Sequence, residues 1–462
     1  MILPKTSKAR KLFHNGLQSL NRATIKGMRL DVGYCKNINK KLNKKLANLE
    51  KELKGSKFGK RWRKIYPNMK IKSDDQLSNI LFNKMNMPII KFTDKGNPSV
   101  DSGVLEILAR GIPDLKIISK YKVLYVANNT FIKAFLREQV DGYIHPEFAL
   151  HVIKTFRSGS YGPNFQQNPK RNPIQKEIVR RAIIPRKGHQ FIAADFGGIE
   201  VRCACCVTKD KQLTHDTIHG DMHRDMAIEI YKLDDFIKKG YEKELRFAGK
   251  NGFVFPEFYG DFWKRCVPSL LKLANLPLKG TLKPKSGKKL MTGLYMGKHL
   301  RKKGIRSVKD FEKHVQAVEY SFWKERYKTY DKWKKDTIQE YKKKGYLITK
   351  TGFVCQGIMS NNEITNYPMQ GPAFHTLLKC FNETDRRQQK NKWISGLVAQ
   401  IHDEMILDAH PNETDYILDT LKEIMTDWIL KKFKWITVPL EVEADVYPVD
   451  GSWAEEAKTV VF

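Results

Sequence analysis

Residues 189–202 read HQFIAADFGGIEVR, and residues 394–409 read ISGLVAQIHDEMILDA. In the first stretch a short apolar run ends on Asp195, which predicts a buried strand with a carboxylate at its end. The second is an apolar run, a polar turn and another apolar run, which predicts a strand–turn–strand with Asp403 at its tip. The two stretches together predict a sheet that is assembled from distant parts of the chain.

The two aspartates suggest chemistry when they are considered as a pair. A buried Asp is costly unless it is paired or bound to a metal. Taken singly, Asp195 could cap the following helix and Asp403 could be an ordinary turn residue. Both together, on sheet elements of one protein, favour a divalent metal site, because magnesium takes oxygen ligands and keeps positions open for substrate phosphates.

The composition points to a polyanionic partner. Of 462 residues, 84 are Lys or Arg and 50 are Asp or Glu, which gives a formal net charge of +34. This excess of positive charge suits nucleic acid. A ribosome-associated or otherwise soluble basic protein would share it, so charge alone favours nucleic acid only modestly.

Cysteine spacing and hydropathy exclude several other classes of protein. The seven cysteines show no paired CxxC spacing, which favours neither a zinc ribbon nor a disulfide framework. No apolar run approaches the length of a membrane span, and the N-terminus lacks the apolar core of a signal peptide. We therefore predict a reduced protein of the cytoplasm, without a membrane partner.

Helical and strand patterns follow one another in blocks. Apolar residues recur at helical spacing over 11–56, and 73–82 begins with a capping Ser or Asp. Residues 213–345 are largely helical and cationic, whereas 345–355 has a hairpin pattern and 441–449 a strand pattern. Strands early and late, with helices between them, predict an α+β fold whose core sheet is built from two segments.

A cationic and aromatic segment, RFAGKNGFVFPEFYG, occupies residues 246–260. Arg246 and Lys250 are four apart, so on a helix they share one face and can grip one polyphosphate. Four aromatic side chains suited to stacking on a base follow them: Phe253, Phe255, Phe258 and Tyr259. A cationic helix packed by aromatic rings is the alternative. Pro256 predicts a kink or an end of the helix.

Two further clusters carry weaker signals. Cys203, Cys205 and Cys206 are spaced poorly for a tetrahedral zinc site, so buried packing is the preferred interpretation. The lysine-rich aromatic stretch 323–344 could hold a single-stranded template by stacking and charge, or it could be a solvated helix.

In chain order, these segments resemble the motifs of family A DNA polymerases, the family of bacterial DNA polymerase I and related phage replicases. DFGGIEVR resembles the family's D-Y-S-Q-I-E-L-R, and IHDE resembles its V-H-D-E. Residues 155–169, TFRSGSYGPNFQQNP, are similar without a gap to T-G-R-L-S-S-T-D-P-N-L-Q-N-I-P. Likewise 220–227 resembles D-I-H-x-x-T-A, 366–373 resembles N-A-P-M-Q-G-T-A, and 13–31 resembles the start of the thumb. The likeness covers essentially the whole chain.

The resemblance implies catalytic roles for four residues. Asp195 and Asp403 would bind two Mg²⁺ ions, for which Mn²⁺ can substitute, with the carbonyl of Phe196 as a further ligand. Lys250 would contact the phosphates and protonate the leaving pyrophosphate. Polymerases belong to the enzymes that use two metal ions in this way.

The resemblance also implies binding roles. Substrate binding would fall to Arg246 and His223 on the phosphates, to Glu200 as part of the gate against a 2′-hydroxyl, and to Phe255 and Tyr259. The sugar-sensing aromatic is Phe253 or Phe255, and Phe255 is favoured because it lies four residues before Tyr259. Contacts with the duplex or the primer end would fall to Arg157, Asn164, Gln166, Asn366, Gln370 and His402.

The fold implied by the resemblance is a right hand with an antiparallel palm sheet and helical fingers. We expect the thumb at 1–150, the palm at 151–212 and 351–462, and the fingers at 213–350. The fingers helix with Arg246 and Lys250 would close over the incoming nucleotide.

The predicted function is template-directed DNA synthesis from dNTPs on a primer–template. The thumb-like sequence begins near Phe13, so we expect no 3′–5′ exonuclease in this chain. Either a separate exonuclease subunit supplies proofreading, or replication is error-prone. A processivity subunit is a further expected partner. A phage-type enzyme, acting in a bacterial cytoplasm or a virus-infected cell, fits the FVFPEFYG variant. The alternatives are a single-subunit RNA polymerase, against which Glu200 and the triplet His402–Glu404 argue, and a catalytically silent nucleic-acid-binding protein.

Overall fold

The computed structural model describes residues 4–93, 95–170, 172–233, 242–274, 276 and 295–462. Within it the chain forms two compact units, each built from separate stretches. Unit 1 comprises Met1–Asn43, Leu124–Thr214 and Lys332–Phe462, and unit 2 comprises Lys44–Val123 and His215–Asp331. This division does not separate a thumb from fingers, so the four-part assignment stays a prediction. Residues 234–241 and 277–294 of the expected fingers lie outside the described residues.

In the described part of the chain the strands belong to unit 1. They are β1 (Met28–Leu30), β2 (Tyr143–Ile144), β3 (Glu147–Ala149), β4 (Gly159–Tyr161), β5 (Ile183–Ile184), β6 (Gln190–Phe196), β7 (Tyr346–Ile348), β8 (Val354–Gln356), β9 (Gly396–Ile401), β10 (Glu404–Ala409), β11 (Val442–Val446) and β12 (Lys458–Val461).

Helices account for most of the remaining described residues. The α-helices are α1 (Ser7–Lys26), α2 (Val32–Gly55), α3 (Lys57–Ile65), α4 (Asp74–Ser78), α5 (Ser102–Leu108), α6 (Leu115–Tyr125), α7 (Lys133–Glu138), α8 (Pro173–Arg180), α9 (Ile199–Thr208), α10 (Lys211–His219), α11 (Met222–Tyr231), α12 (Glu242–Gly249), α13 (Phe255–Phe258), α14 (Trp263–Ala274), α15 (Met296–Lys302), α16 (Val308–Ser321), α17 (Lys328–Lys344), α18 (Asn361–Asn391), α19 (Thr414–Lys422) and α20 (Ile429–Lys432). The described residues also include five π-helical segments, Asn79–Lys84, Val126–Ile132, Lys250–Val254, Phe322–Arg326 and Glu423–Trp428, and two 3₁₀ segments, Phe165–Gln167 and Pro411–Glu413.

The core of unit 1 is a five-stranded antiparallel sheet in the order β12-β11-β6-β10-β9. β6 lies in the middle, between strands from the C-terminal part of the chain, and all of its residues except Asp195 are buried. A strand covered on both faces has a continuous apolar run instead of an alternating one. The predicted α+β class and the two-segment antiparallel sheet are confirmed.

Helices cover this sheet. Ser360 caps the N-terminus of α18: its side chain accepts from the Glu363 amide, and the Glu363 carboxylate accepts from the Ser360 amide, so both amides are satisfied. α18 packs against α1 and α9, and α1 packs on β9. All seven cysteines are buried and free, as the packing interpretation of Cys203, Cys205 and Cys206 predicts. No helix of the described part of the chain is long and apolar enough to cross a membrane.

Unit 2 is helical in its described residues, with α14 packing against α5 and α16. Trp323, Tyr327 and Tyr330, from the lysine-rich aromatic stretch, are buried in its core. The Trp323 ring stacks on Tyr330 at a centroid distance of 5.2 Å, and its indole N–H donates to Glu257 at 2.8 Å. The sequence predicted either a surface that holds single-stranded template or a solvated helix, and both predictions are wrong for these three rings. The rings are core residues, although lysines dominate the segment around them.

A buried histidine in unit 1 predicts acid sensitivity of the fold. His375 is fully buried, stacks on Phe353 at 3.9 Å, donates from Nε2 to the Phe156 carbonyl and accepts at Nδ1 from the Thr351 hydroxyl. Burial lowers its pKa to about 3. Below pH 6.5 the unfolded chain takes up a proton that the folded protein excludes, so stability falls as the pH drops from 6.5 towards 3.

We expect the neutral, buried His375 to lower the free energy of unfolding by about 2 kcal/mol when the pH drops from 7 to 5. Urea unfolding at both pH values would measure it, because the wild type should lose more than His375→Gln. The exposed His14→Gln should lose as much as the wild type. Equal losses in the wild type and His375→Gln would contradict a neutral buried imidazole.

Candidate active site

The central sheet brings the two predicted carboxylates to one place. In the antiparallel pairing of β6 with β10, Asp195 is opposite Glu404, which follows Asp403 in the β9–β10 turn. The Phe196 amide donates to the Asp403 carbonyl at 3.4 Å. The sequence prediction that the sheet unites Asp195 and Asp403 is therefore confirmed.

The turn after Asp195 is held by a buried arginine. Gly198 adopts a φ of +62° before α9 begins, a conformation that suits glycine. Arg202 donates from Nε to the Gly197 carbonyl at 2.9 Å and from Nη1 to the Pro439 carbonyl at 2.6 Å. Its Nη2 lies 2.6 Å from a Glu441 carboxylate oxygen. These bonds tie the end of β6 to the segment that enters β11 and limit the movement of Asp195.

Two cations lie among the carboxylates. Arg157 donates to Glu200 at 3.0 Å, and its other terminal nitrogen lies 3.5 Å from Asp403 Oδ1. Lys170 donates from Nζ to Asp195 Oδ2 at 3.3 Å, and its Nζ lies 3.9 Å from Glu404 Oε2. Each aspartate of the pair therefore has a cation beside it.

Burial dominates the electrostatics of the β9–β10 turn. It raises the pKa of Asp403 to about 7; Glu200 and Asp195 add to the rise, whereas Arg157 opposes it. Burial likewise raises the pKa of Glu404, again against the effect of Lys170. Such carboxyl groups gain most from an additional cation, because it stabilises the ionised form that burial disfavours.

The residues at this site fit divalent metal ions. Asp403 Oδ1 is buried, and no donor among the described residues makes a hydrogen bond to it. A buried carboxylate oxygen that has the Arg157 guanidinium 3.5 Å away but accepts no hydrogen bond from the described residues suits a metal ligand. The described residues contain no group of three or more His, Cys, Asp or Glu that could hold an ion. Two aspartates and a backbone carbonyl, such as that of Phe196, would leave positions for substrate oxygens and water.

A network of amides holds the β9–β10 turn. Gln166 donates from Nε2 to Ser158 Oγ and to the backbone and side-chain oxygens of Gln400, each at 3.0 Å, while its own oxygen accepts from the His402 amide at 2.8 Å. Gln400 in turn donates to the His402 carbonyl at 2.6 Å. His402 has a φ of +51°, a strained conformation for a non-glycine residue. Gln166 therefore positions the turn that carries Asp403; its contact with DNA stays a prediction.

The other residues predicted to contact DNA also lie in unit 1. Asn164 is exposed where the 3₁₀ segment Phe165–Gln167 begins, and His402 is exposed in the β9–β10 turn. Asn366 and Gln370 are half-buried on the first turns of α18.

In unit 2 the predicted phosphate ligands gather where α11 and α12 pack together. Arg246 donates from Nε to Asp221 at 2.8 Å, and Asp221 caps α11 by accepting from the Arg224 amide. A Cβ on Gly249 would lie 2.2 Å from the His223 carbonyl, so only glycine permits this approach of α12 to α11. This close approach brings His223 on α11 near the charges of Arg246 and Lys250.

The imidazole of His223 is neutral near pH 7. Burial, followed by the charges of Arg246 and Lys250, lowers its pKa to about 4. Its Nδ1 is buried without a hydrogen-bond partner in the described residues, and its ring contacts Phe255 edge-on at 5.6 Å. A neutral imidazole can donate to a phosphate oxygen from one nitrogen without adding charge.

The helical backbone continues past Pro256 to Phe258, so the helix does not end at the proline. The stretch Lys250–Val254 is π-helical, and the Phe255 amide donates to the Lys250 carbonyl. Pro256 then lies in the first turn of α13, where a missing amide is tolerated. Phe253 is fully buried, whereas Phe255 is half-buried with Lys250 Nζ 4.9 Å from its ring centre. Together with the 41% exposed Tyr259, Phe255 stays the candidate for contact with a nucleotide.

Sequence reasoning missed Lys170, Ser158 and Gln400. Lys170 directly follows the matched segment 155–169, but a lysine in a chain with 84 Lys and Arg residues carries no signal of its own. Gln400 is a polar residue within the apolar run of β9, and this interruption is the sequence signal that could have singled it out, since the structure buries it completely.

Three comparisons place the chain among known proteins. The model of "DNA polymerase family A" matches residues 32–265 and 310–455. The thermostable DNA polymerase I of Thermus thermophilus is 26% identical over 443 residues, covering 92% of this chain and 46% of the relative. DNA polymerase I of Lactococcus lactis subsp. lactis is 25% identical over 442 residues, covering 92% of this chain and 43% of the relative. The chain thus spans less than half the length of these two relatives.

A solved structure shows the same fold. The POL domain of Pol1 from M. smegmatis, in complex with DNA primer-template and dNTP, aligns with a TM-score of 0.72 at 19% sequence identity. The alignment covers 96% of this chain and 70% of that one.

Proposed function

The chain belongs to DNA polymerase family A, and from this premise we propose that it is a template-directed DNA polymerase that adds deoxynucleotides to a primer 3′ end. The observation that carries the proposal is the pairing of Asp195 and Asp403 at the end of a buried sheet, with Asp403 Oδ1 left without a hydrogen-bond donor among the described residues. The M. smegmatis relative of the same fold, solved with DNA primer-template and dNTP, supports these partners.

Asp195, Asp403 and the Phe196 carbonyl would hold two divalent ions, with Mg²⁺ expected and Mn²⁺ as a substitute. When bound, such ions activate the primer 3′-hydroxyl and stabilise the charge on the leaving pyrophosphate. Arg202 and the amide network of Gln166 keep the two carboxylates in place. Their fixed placement lowers the cost of organising the site at the moment of reaction.

The cationic cluster of unit 2 would bind the triphosphate. Arg246 offers a planar fork for phosphate oxygens, and neutral His223 offers a hydrogen bond without further charge. Lys250 would bind the phosphates and give a proton to pyrophosphate, which an ammonium can do and a guanidinium cannot. Phe255 and Tyr259 would contact the nucleoside.

The remaining roles concern the sugar and the duplex. Glu200 would exclude a 2′-hydroxyl, and Arg157, which pairs with Glu200, would link this gate to Asp403. Backbone and minor-groove contacts suit a polymerase because they do not depend on sequence. We assign them to Arg157, Asn164, Gln166, Asn366, Gln370 and His402.

Primer extension tests the proposal. With Mg²⁺ and a labelled primer–template, we expect lengthening with dNTPs, no lengthening with rNTPs, and no shortening of the primer when nucleotides are omitted. A primer that ends in a dideoxynucleotide is the control, since it lacks the attacking hydroxyl. Preferential use of rNTPs would assign the chain to RNA synthesis, and retained duplex binding without extension would assign it to a silent binding protein.

A further inference from the structure

Lys170 lies beside a proposed metal ligand, although no role follows for it from the sequence. Its Nζ is 3.3 Å from Asp195 Oδ2 and 3.9 Å from Glu404 Oε2. Asp195 and Glu404 are opposite each other in the sheet, so their side chains share one face, and the ammonium bridges the two. The Lys170 side chain is 60% exposed, whereas that of Glu404 is only 7% exposed.

The backbone that carries Lys170 is held by buried groups. Arg180, which is 3% exposed, donates from Nε to the Pro169 carbonyl at 3.1 Å. Its guanidinium lies 4.0 Å from the centre of the Trp453 ring, and Trp453 stacks on Phe165 at 6.0 Å. The residue before Lys170 is thus fixed to the core. This anchoring keeps the flexible Lys170 side chain within reach of Asp195 and Glu404.

A divalent ion bound by Asp195 would lie within a few ångströms of this ammonium. Two cations at such a distance repel, and solvent screens the repulsion only in part. Glu404 offers the ammonium a second, more deeply buried carboxylate within the reach of the same side chain. The lysine can therefore give up Asp195 without losing a counter-ion.

We propose that Lys170 is a tethered cation that competes with divalent metal for Asp195 and transfers to Glu404 when the metal binds. It sets the concentration of divalent ion at which the site fills. This inference rests on the proposed function, because it takes Asp195 as a metal ligand.

Binding of Mn²⁺ tests the inference without any need for turnover. The electron paramagnetic resonance signal of free Mn²⁺ is titrated with the wild-type protein, Lys170→Gln, Lys170→Arg and Lys187→Gln. Lys187 is exposed and precedes the opposite end of β6 from Asp195, so it controls for a general loss of charge. We expect Lys170→Gln to bind Mn²⁺ roughly three- to tenfold more tightly, and Lys170→Arg and Lys187→Gln to match the wild type.

The role of Glu404 is tested by a double-mutant cycle. Glu404→Gln removes a charge near the metal in any background, but only with Lys170 present does it also remove the second partner of the ammonium. The loss of Mn²⁺ affinity should therefore be at least twofold larger with Lys170 than in the Lys170→Gln background. Equal losses would overturn the transfer to Glu404.

Two further results would overturn the proposed competition between Lys170 and divalent metal for Asp195. One is equal Mn²⁺ affinity of the wild type and Lys170→Gln; the other is wild-type binding that survives Asp195→Asn. Primer extension by the same preparations separates the two proposals. If the wild type extends a primer while Lys170→Gln leaves Mn²⁺ affinity unchanged, the inference fails and the polymerase assignment stands. If the wild type does not extend a primer, the polymerase assignment fails.

Discussion

Replacing Asp403 by Asn is expected to lower primer extension by at least about 10³-fold, because a metal ion contributes several kcal/mol of charge stabilisation and each 1.4 kcal/mol is a factor of ten. The substitution preserves the shape of the side chain and leaves the backbone bond between Phe196 and Asp403 intact. It removes one negative charge and replaces a carboxylate oxygen by an amide nitrogen that cannot bind a cation. The loss should therefore fall on catalysis.

Duplex binding separates this outcome from a general defect. Affinity for primer–template, measured by fluorescence anisotropy without nucleotide, should be unchanged or higher in Asp403→Asn, because a negative charge near the phosphates is lost. The exposed Asp427→Asn on the Glu423–Trp428 segment of unit 1 is the matched control and should extend primers like the wild type. Extension by Asp403→Asn above a tenth of the wild-type rate would rule out Asp403 as a metal ligand.

The sheet that carries Asp403 was predictable because its strands are buried on both faces. Burial on both faces makes β6, β9 and β10 predominantly apolar, and the two proposed ligands lie next to the strand ends, Asp195 near the end of β6 and Asp403 in the turn between β9 and β10. The resemblance to the family's motifs, which occur in the same order, then indicated that these strands belong to one sheet. Local pattern and motif order both led to the same pair of aspartates.

Other parts of the site depend on tertiary packing and leave no local pattern. The bonds that join Gln166 to Gln400 cross 234 sequence positions, and Arg180, which lies over Trp453, holds the backbone just before Lys170. Pro256 is tolerated because the preceding turn is π-helical, an adjustment that a helical wheel of constant period cannot express. The buried rings of Trp323 and Tyr330 were misjudged because lysines dominate the segment around them.

In unit 2, Lys250 is the residue whose replacement should cost most. We expect Lys250→Ala to lower the single-turnover rate of nucleotide addition by about 10²- to 10³-fold, the range for loss of one preorganised group that stabilises charge in a transition state. The exposed Lys264→Ala on α14 removes the same charge elsewhere in unit 2 and should leave the rate within about twofold, as is usual for surface changes.

Lys250→Arg distinguishes phosphate binding from proton donation. Arginine keeps the positive charge near Phe255 and Arg246, so the dNTP concentration for half-maximal rate should stay within a few-fold of the wild type. Its guanidinium does not release a proton at accessible pH, so the maximal rate should still fall by about 10²-fold if Lys250 is the general acid. A maximal rate equal to that of the wild type would leave Lys250 as a phosphate ligand only. A Lys250→Ala variant that works as fast as the wild type would remove both roles, and the protonation of pyrophosphate would then have to come from water.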